Sequence, residues 1–176
     1  MLLDRSEITR LLFSLSERLN RLGLLAELYV VGGAAIALAY DVRRTTCDID
    51  AVFEPKSIIY KAAAEIAKEY GLEVDWLNDA VKGFLPANAN LIFEAPGIRV
   101  LTASPEYLLA MKVAAARVGR DSDDIKFLAA FLGIRDAAGV LKVVEQVWGG
   151  NGRLLPKARF LVEEIMSEQE SNDGAV

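Results

Sequence analysis

The feature that most constrains this chain is Leu28-Tyr29-Val30-Val31-Gly32-Gly33-Ala34-Ala35, an apolar run interrupted only by two adjacent glycines. Residues 28–31 read as a short buried strand, and residues 34–40 as an apolar helix that the glycines open. Glycine lets other atoms approach the backbone closely. The N-terminus of the following helix offers unpaired N–H groups and a partial positive charge. Such a turn suits a phosphate, although a tight strand-to-helix connection with no ligand has the same pattern. It is neither G-x-G-x-x-G nor a Walker loop, because no Gly-Lys-Ser/Thr follows.

The rest of the chain supplies a core for this unit. With 176 residues, 53% of them hydrophobic, there is enough apolar surface for one domain. Asp4 and Glu7 have capping-box spacing, and Ile8, Leu11, Leu12, Leu15, Leu19 and Leu22 follow a helical stripe that Gly23 ends. A polar loop over 41–46 leads to a strand over 47–53. Pro55 and Ser57 then open a helix with Ile58, Ile59, Ala62, Ile66 and Tyr70, closed by Gly71. Residues 72–76 read as a third strand and 78–89 as a loop. Strands over 90–94 and 98–102 are joined by Ala95-Pro96-Gly97, where Pro and Gly suit a type II turn. Ser104-Pro105-Glu106 has the order of a helix cap, first position and acidic first turn. Four helices follow, over 105–118, 122–132, 135–147 and 155–166, and a polar tail over 167–176 reads as disordered. The expected fold is α/β in the α+β sense: a mixed β-sheet packed by helices over 1–103, then a C-terminal helical bundle over 104–166.

Composition narrows the chemistry. There is no histidine, which excludes His-based zinc sites, Ser-His-Asp triads and histidine general bases, and one cysteine cannot build a thiolate cluster. A net charge of -5 argues against a chain built mainly to bind nucleic acid. It suits an acidic site that needs a metal to accept polyphosphate. No apolar run reaches the ~20 residues of a membrane span. The N-terminus lacks a signal-peptide pattern, and the lone Cys47 cannot form an internal disulfide, so a cytoplasmic setting is expected.

Asp48-Ile49-Asp50 carries the candidate chemistry. Residues two apart on a strand face the same way, with Cα atoms roughly 6.6 Å apart. Their carboxylates can converge on one Mg²⁺, or Mn²⁺, at about 2.0–2.1 Å. Like charges on one strand face repel, and a cation would offset that. In isolation, D-x-D also describes a solvated strand end with two acids. The apolar neighbours Ile49, Ala51 and Phe53 instead imply a half-buried strand.

Strand, Gly-Gly, short helix and D-x-D together, over residues 30–53, resemble the nucleotidyltransferase superfamily with the DNA polymerase β-like fold. Arg44-Thr45-Thr46-Cys47-Asp48-Ile49-Asp50 is similar to the small bacterial branch that includes AbiEii-type toxins. The resemblance implies NMP transfer from an NTP to an RNA end such as tRNA, or to a protein, with a cognate antitoxin if the chain is a toxin. It assigns Asp48 and Asp50 to the metal, and Gly32, Gly33, Arg44 and Thr46 to the nucleotide. Where the family often has Ser after the first glycine, this chain has Gly33, so backbone N–H groups would serve in place of a hydroxyl. A third carboxylate is expected at Asp75, as base or second metal ligand, with Glu94 as runner-up and a turn cap as the other reading of Asp75. The resemblance also gives Lys112 and Arg120 to the triphosphate, and Asp121 or Asp124 to completing the site. On physical grounds Lys112 lies in an apolar helix and needs an anionic partner unless it snorkels to solvent. Asp121 has the place of a helix N-cap. Arg43 and Arg44 could bind triphosphate or form a solvated loop, and Trp76 and Asn78 could stack on and hydrogen-bond a base, although an aromatic at a strand end is more often core. The alternative function is a nucleotide-binding or regulatory module without turnover. In an unrelated α/β domain, the acids would lie more than about 8 Å from the glycine turn, too far for ~2 Å ligand bonds to one Mg–triphosphate.

Overall fold

The computed structural model describes residues 2–41, 44–79, 89–115, 117, 119, 121–149 and 155–173. The chain forms two compact units, Met1–Ala103 and Ser104–Val176.

Unit 1 begins with helix α1, Arg5–Arg21. Asp4 caps it as the spacing predicts: the Glu7 N–H donates to Asp4 Oδ1 at 2.9 Å, and the Asp4 N–H donates to Glu7 Oε2 at 3.1 Å. Ile8, Leu11, Leu12, Leu15 and Leu19 are buried, while Leu22 ends the helix exposed. Strand β1, Ala26–Val30, runs into helix α2, Gly32–Ala39. Strand β2, Ile49–Glu54, leads to α3, Lys56–Tyr70, which Gly71 closes in the left-handed conformation. Three strands follow: β3 (Leu77–Asn78), β4 (Asn90–Ala95) and β5 (Ile98–Thr102). They form one mixed five-stranded sheet in the order β3-β2-β1-β5-β4. β1 is parallel to β5 and antiparallel to β2; β3 is parallel to β2, and β4 antiparallel to β5.

One set of alternating residues is buried: Leu28 and Val30 on β1, Ile49, Ala51 and Phe53 on β2, and Ile98, Val100 and Thr102 on β5. Removing the Leu, Ile, Val and Phe side chains of this set from water contributes about 1.5–3 kcal/mol each and holds the helices to the sheet. Trp76 joins this core, with its indole N–H donating to the Ala63 carbonyl at 3.0 Å.

Two local expectations are corrected. Residues 72–76 are not a strand, because Val74 is exposed while Trp76 is buried and donates its backbone N–H to Glu73 O, a turn geometry. The strand that pairs with β2 is the two-residue β3 just beyond it. The turn at Pro96-Gly97 is present, but Gly97 does not take the positive φ of a type II turn. Gly97 is needed for space instead: a Cβ there would lie 2.2 Å from the Ser16 carbonyl oxygen of α1. The loop expected over 78–89 lies mostly outside the described residues.

Unit 2 comprises α4 (Pro105–Ala115), α5 (Ser122–Phe131), α6 (Ala137–Val147) and α7 (Pro156–Asp173). Ser104 caps α4 through its hydroxyl, which accepts from the Tyr107 N–H at 3.3 Å. α4 packs against α5, α6 and α7 through buried Leu108, Leu109, Val113, Ile125, Leu128, Val140, Val144 and Val162. The backbone of α7 continues to Asp173, through part of the stretch read as a polar tail. Among the described residues no helix is long and apolar enough to cross a membrane.

Gly97→Ala should destabilise the fold by about 3 kcal/mol, because only backbone atoms of α1 could yield. Gly71→Ala, which meets open space and strains only a left-handed backbone, should cost about 1 kcal/mol. Urea unfolding of both variants against wild type measures the difference.

Candidate metal and nucleotide site

β1 lies in the middle of the sheet, so the glycine turn at its end is flanked by β2 on one side and β5 on the other. Val30 pairs with Ala51, and beyond it the Val31 N–H donates to the Asp50 carbonyl at 2.9 Å. This antiparallel register sets Gly32 against Asp50. Gly32 has φ +67°, and a Cβ on it would stand 3.2 Å from Asp50 Oδ2. A Cβ on Gly33 would meet Thr46 Oγ1 at 2.8 Å. The two glycines are thus required by backbone conformation and close approach. Val31 takes the N-cap position of α2 and supplies no side-chain cap, so the first-turn N–H groups keep their capacity for an acceptor.

The acids follow from β2. Its buried set, Ile49, Ala51 and Phe53, faces the core, which leaves Asp50 and Val52 half-buried on the opposite side. Asp48 stands immediately before the strand and is held at both ends. Thr46 Oγ1 donates to its carbonyl at 3.1 Å, and Asn78 Nδ2 donates to its Oδ2 at 3.3 Å. Thr46 is itself fixed by a two-way backbone bridge to Leu3, with Leu3 N to Thr46 O at 2.7 Å and Thr46 N to Leu3 O at 3.0 Å. Among the described residues Asp50 has no ion-pair or side-chain hydrogen-bond partner. The half-buried Asp50 carboxylate beside the Gly32 turn is of the donor type that suits a hard divalent ion.

The position in register with Asp50 on the neighbouring strand is Asn78, not an acid. Asp75, expected to bring a third carboxylate, lies in the exposed turn before β3, and only its carbonyl oxygen approaches Asn78 Nδ2, at 3.5 Å. Glu94 is on the edge strand at the other end of the sheet, paired with Arg99 at 3.4 Å. Among the described residues no group of three or more Asp, Glu, Cys or His side chains gathers as a metal cage. Asp48 and Asp50 would therefore hold an ion as a two-carboxylate set. Arg44 is half-buried two residues before Thr46, while Arg43 and Arg120 lie outside the described residues. Trp76 is in the core, so its indole cannot stack on a base.

In unit 2, Lys112, Asp121 and Asp124 do come together. The Lys112 ammonium is 3.0 Å from Asp121 Oδ1 and 2.7 Å from Asp124 Oδ2, with both carboxylates almost wholly buried. Lys112 therefore does not snorkel to solvent; its anionic partners are internal. Asp121 stands at the N-cap of α5 but makes no side-chain cap bond. Its Oδ2 instead accepts from the Arg117 backbone N–H at 3.2 Å and from Arg117 Nε at 3.0 Å. Arg117 is a partner that sequence reasoning missed, although its place four residues before Asp121 was a usable signal. Burial pushes the Asp121 carboxyl up, but the hydrogen bonds and charges of Arg117 and Lys112 outweigh it and leave its pKa below the ordinary value.

A central strand, a glycine turn, a short uncapped helix and D-x-D at the antiparallel neighbour are the arrangement on which residues 30–53 resemble the nucleotidyltransferases. A family model described as "Nucleotidyltransferase of unknown function (DUF6036)" matches residues 9–131, more than half of the chain, and the chain belongs to that family. The matched span covers both the D-x-D site and the Lys112 cluster. Comparison with curated proteins and with solved structures gave no match.

Because Asp121 titrates lower in the folded chain than unfolded, its contribution to stability is present above the ordinary carboxylate pKa, about 3.9. It is lost as pH falls through the lowered folded value. Thermal melts below pH 4 should therefore show a steeper acid loss for wild type than for Asp121→Asn. Lys112→Met leaves two buried carboxylates without their ammonium and should destabilise the chain at neutral pH by about 3–5 kcal/mol, measured by chemical denaturation.

Proposed function

We propose that this chain transfers a nucleoside monophosphate from an NTP to an acceptor hydroxyl or amine, using a divalent ion, Mg²⁺ or Mn²⁺, held by Asp48 and Asp50. The observation that carries this reading is the half-buried Asp50 carboxylate, unpaired among the described residues and set directly against the Gly32 turn. The first-turn N–H groups of α2 bind phosphate oxygens, and the helix dipole favours their charge. Thr46 and Asn78 hold Asp48 in place through its carbonyl and its carboxylate. The bound ion supplies neutralisation of phosphate charge and polarisation of the α-phosphoryl group. The acceptor oxygen or nitrogen forms a bond to the α-phosphorus, the bond to the bridging oxygen breaks, pyrophosphate leaves, and the acceptor proton passes to solvent.

Family membership supports nucleotidyl transfer in general. The likeness of residues 44–50 to the toxin branch directs the acceptor search to RNA ends, tRNA among them, and to proteins, and directs the partner search to a cognate antitoxin. A second reading, nucleotide binding without turnover, draws on Asn78 standing where a further carboxylate was expected.

Incubation with labelled NTPs, Mg²⁺ and mixed RNA and protein acceptors should give labelled acceptor, with loss of at least about 10²-fold in Asp50→Ala. Transfer that persists unchanged in Asp50→Ala overturns the assignment. Mg²⁺-dependent NTP binding by calorimetry with no product on any acceptor would establish the second reading instead.

A further inference from the structure

The pairing of β2 with β3 places Asp50 opposite Asn78, and the Asn78 amide reaches across to the other acid of the pair. Two oxygens face the same end of that side chain: Asp48 Oδ2 at 3.3 Å and the Asp75 carbonyl at 3.5 Å. Both are acceptors, so that end is the NH₂ group. An aspartate of the same size here would turn an oxygen toward both. It would also add a third acidic group beside Asp48 and Asp50, whose mutual repulsion a cation would relieve.

We infer that Asn78 is a positioning residue that sets the cation capacity of this site. Its amide orients Asp48, and its neutrality keeps the set at two carboxylates, so that the chain binds one divalent ion. Water and phosphate oxygens would complete the coordination of a Mg²⁺ held there. The inference rests on the metal site proposed above and adds to it the stoichiometry and the residue that governs it.

The test is a titration of the full chain with Mn²⁺ alone, followed by electron paramagnetic resonance, with melting temperatures taken with and without the ion. Wild type should bind one Mn²⁺. Asn78→Leu, which keeps bulk and loses the donor, should bind it about tenfold more weakly. Asn78→Asp should melt lower than wild type without metal, and recover more on adding Mn²⁺. It should also bind the ion about tenfold more tightly or take a second one, since affinity follows the number of charged ligands. A residue with a merely structural role would not produce a gain in metal binding. If Asn78→Leu does not fold, the isosteric Asn78→Asp carries the test alone. Two equivalent ions in wild type, or Mn²⁺ binding unchanged in both variants, overturns the inference. In that case a loss of Mn²⁺ binding in Asp50→Asn leaves the metal site itself standing. Mn²⁺ binding that is absent in wild type, or unchanged in Asp50→Asn, overturns the metal site and this inference with it.

Discussion

The hydrogen bond from the Val31 N–H to the Asp50 carbonyl ends the β1–β2 ladder and locates everything at the site. A slip of one residue in this antiparallel pairing would move Asp50 to the buried face and Ile49 to the exposed one. Burial of Ile49, Ala51 and Phe53 makes such a slip expensive, so the core holds the acids where they are. The same register would bring a Cβ on Gly32 to 3.2 Å from Asp50 Oδ2, and the left-handed backbone there would strain any other residue. The glycine turn and the acids are therefore two results of one pairing.

Around that pairing the unit builds a frame from weak, short-range contacts. Leu3 bridges to Thr46, Thr46 holds the Asp48 carbonyl and fills the space over Gly33, and Asn78 holds the Asp48 carboxylate. Asp48 is thereby restrained from both sides, while Asp50 has no such partner among the described residues. The asymmetry is one that the proposed metal site would use, with one acid pre-oriented before an ion binds. Pre-orientation lowers the entropy lost when a ligand is bound.

Unit 2 solves a different electrostatic problem. An ammonium and two carboxylates inside a helical core would each be costly alone, and they are tolerated because they meet within hydrogen-bonding distance. Arg117 adds a second cation to Asp121, so the cluster carries two positive and two negative groups. Its position ties the end of α4 to the start of α5.

Much of this was legible in the residues themselves. The capping box at Asp4, the alternation along β2, the strand-to-helix glycines, the cap at Ser104 and the need of Lys112 for an anion all follow from local periodicity and from the chemistry of single side chains. What the local pattern could not decide was which distant residues meet. The sequence Leu72-Glu73-Val74-Asp75-Trp76 alternates like a strand, yet burying Trp76 under α3 turns the chain early. Asn78 thereby takes the place beside Asp50 where Asp75 was expected. Gly97 lies in the expected turn but is required as a spacer against α1, and Asp121 stands at the N-cap of α5 but spends its side chain on ion pairs. Periodicity reports which face of an element is buried. Register and packing between segments far apart in the chain are set only when those faces close on one another, and at this site they decide that an amide, not a third acid, stands beside Asp48 and Asp50.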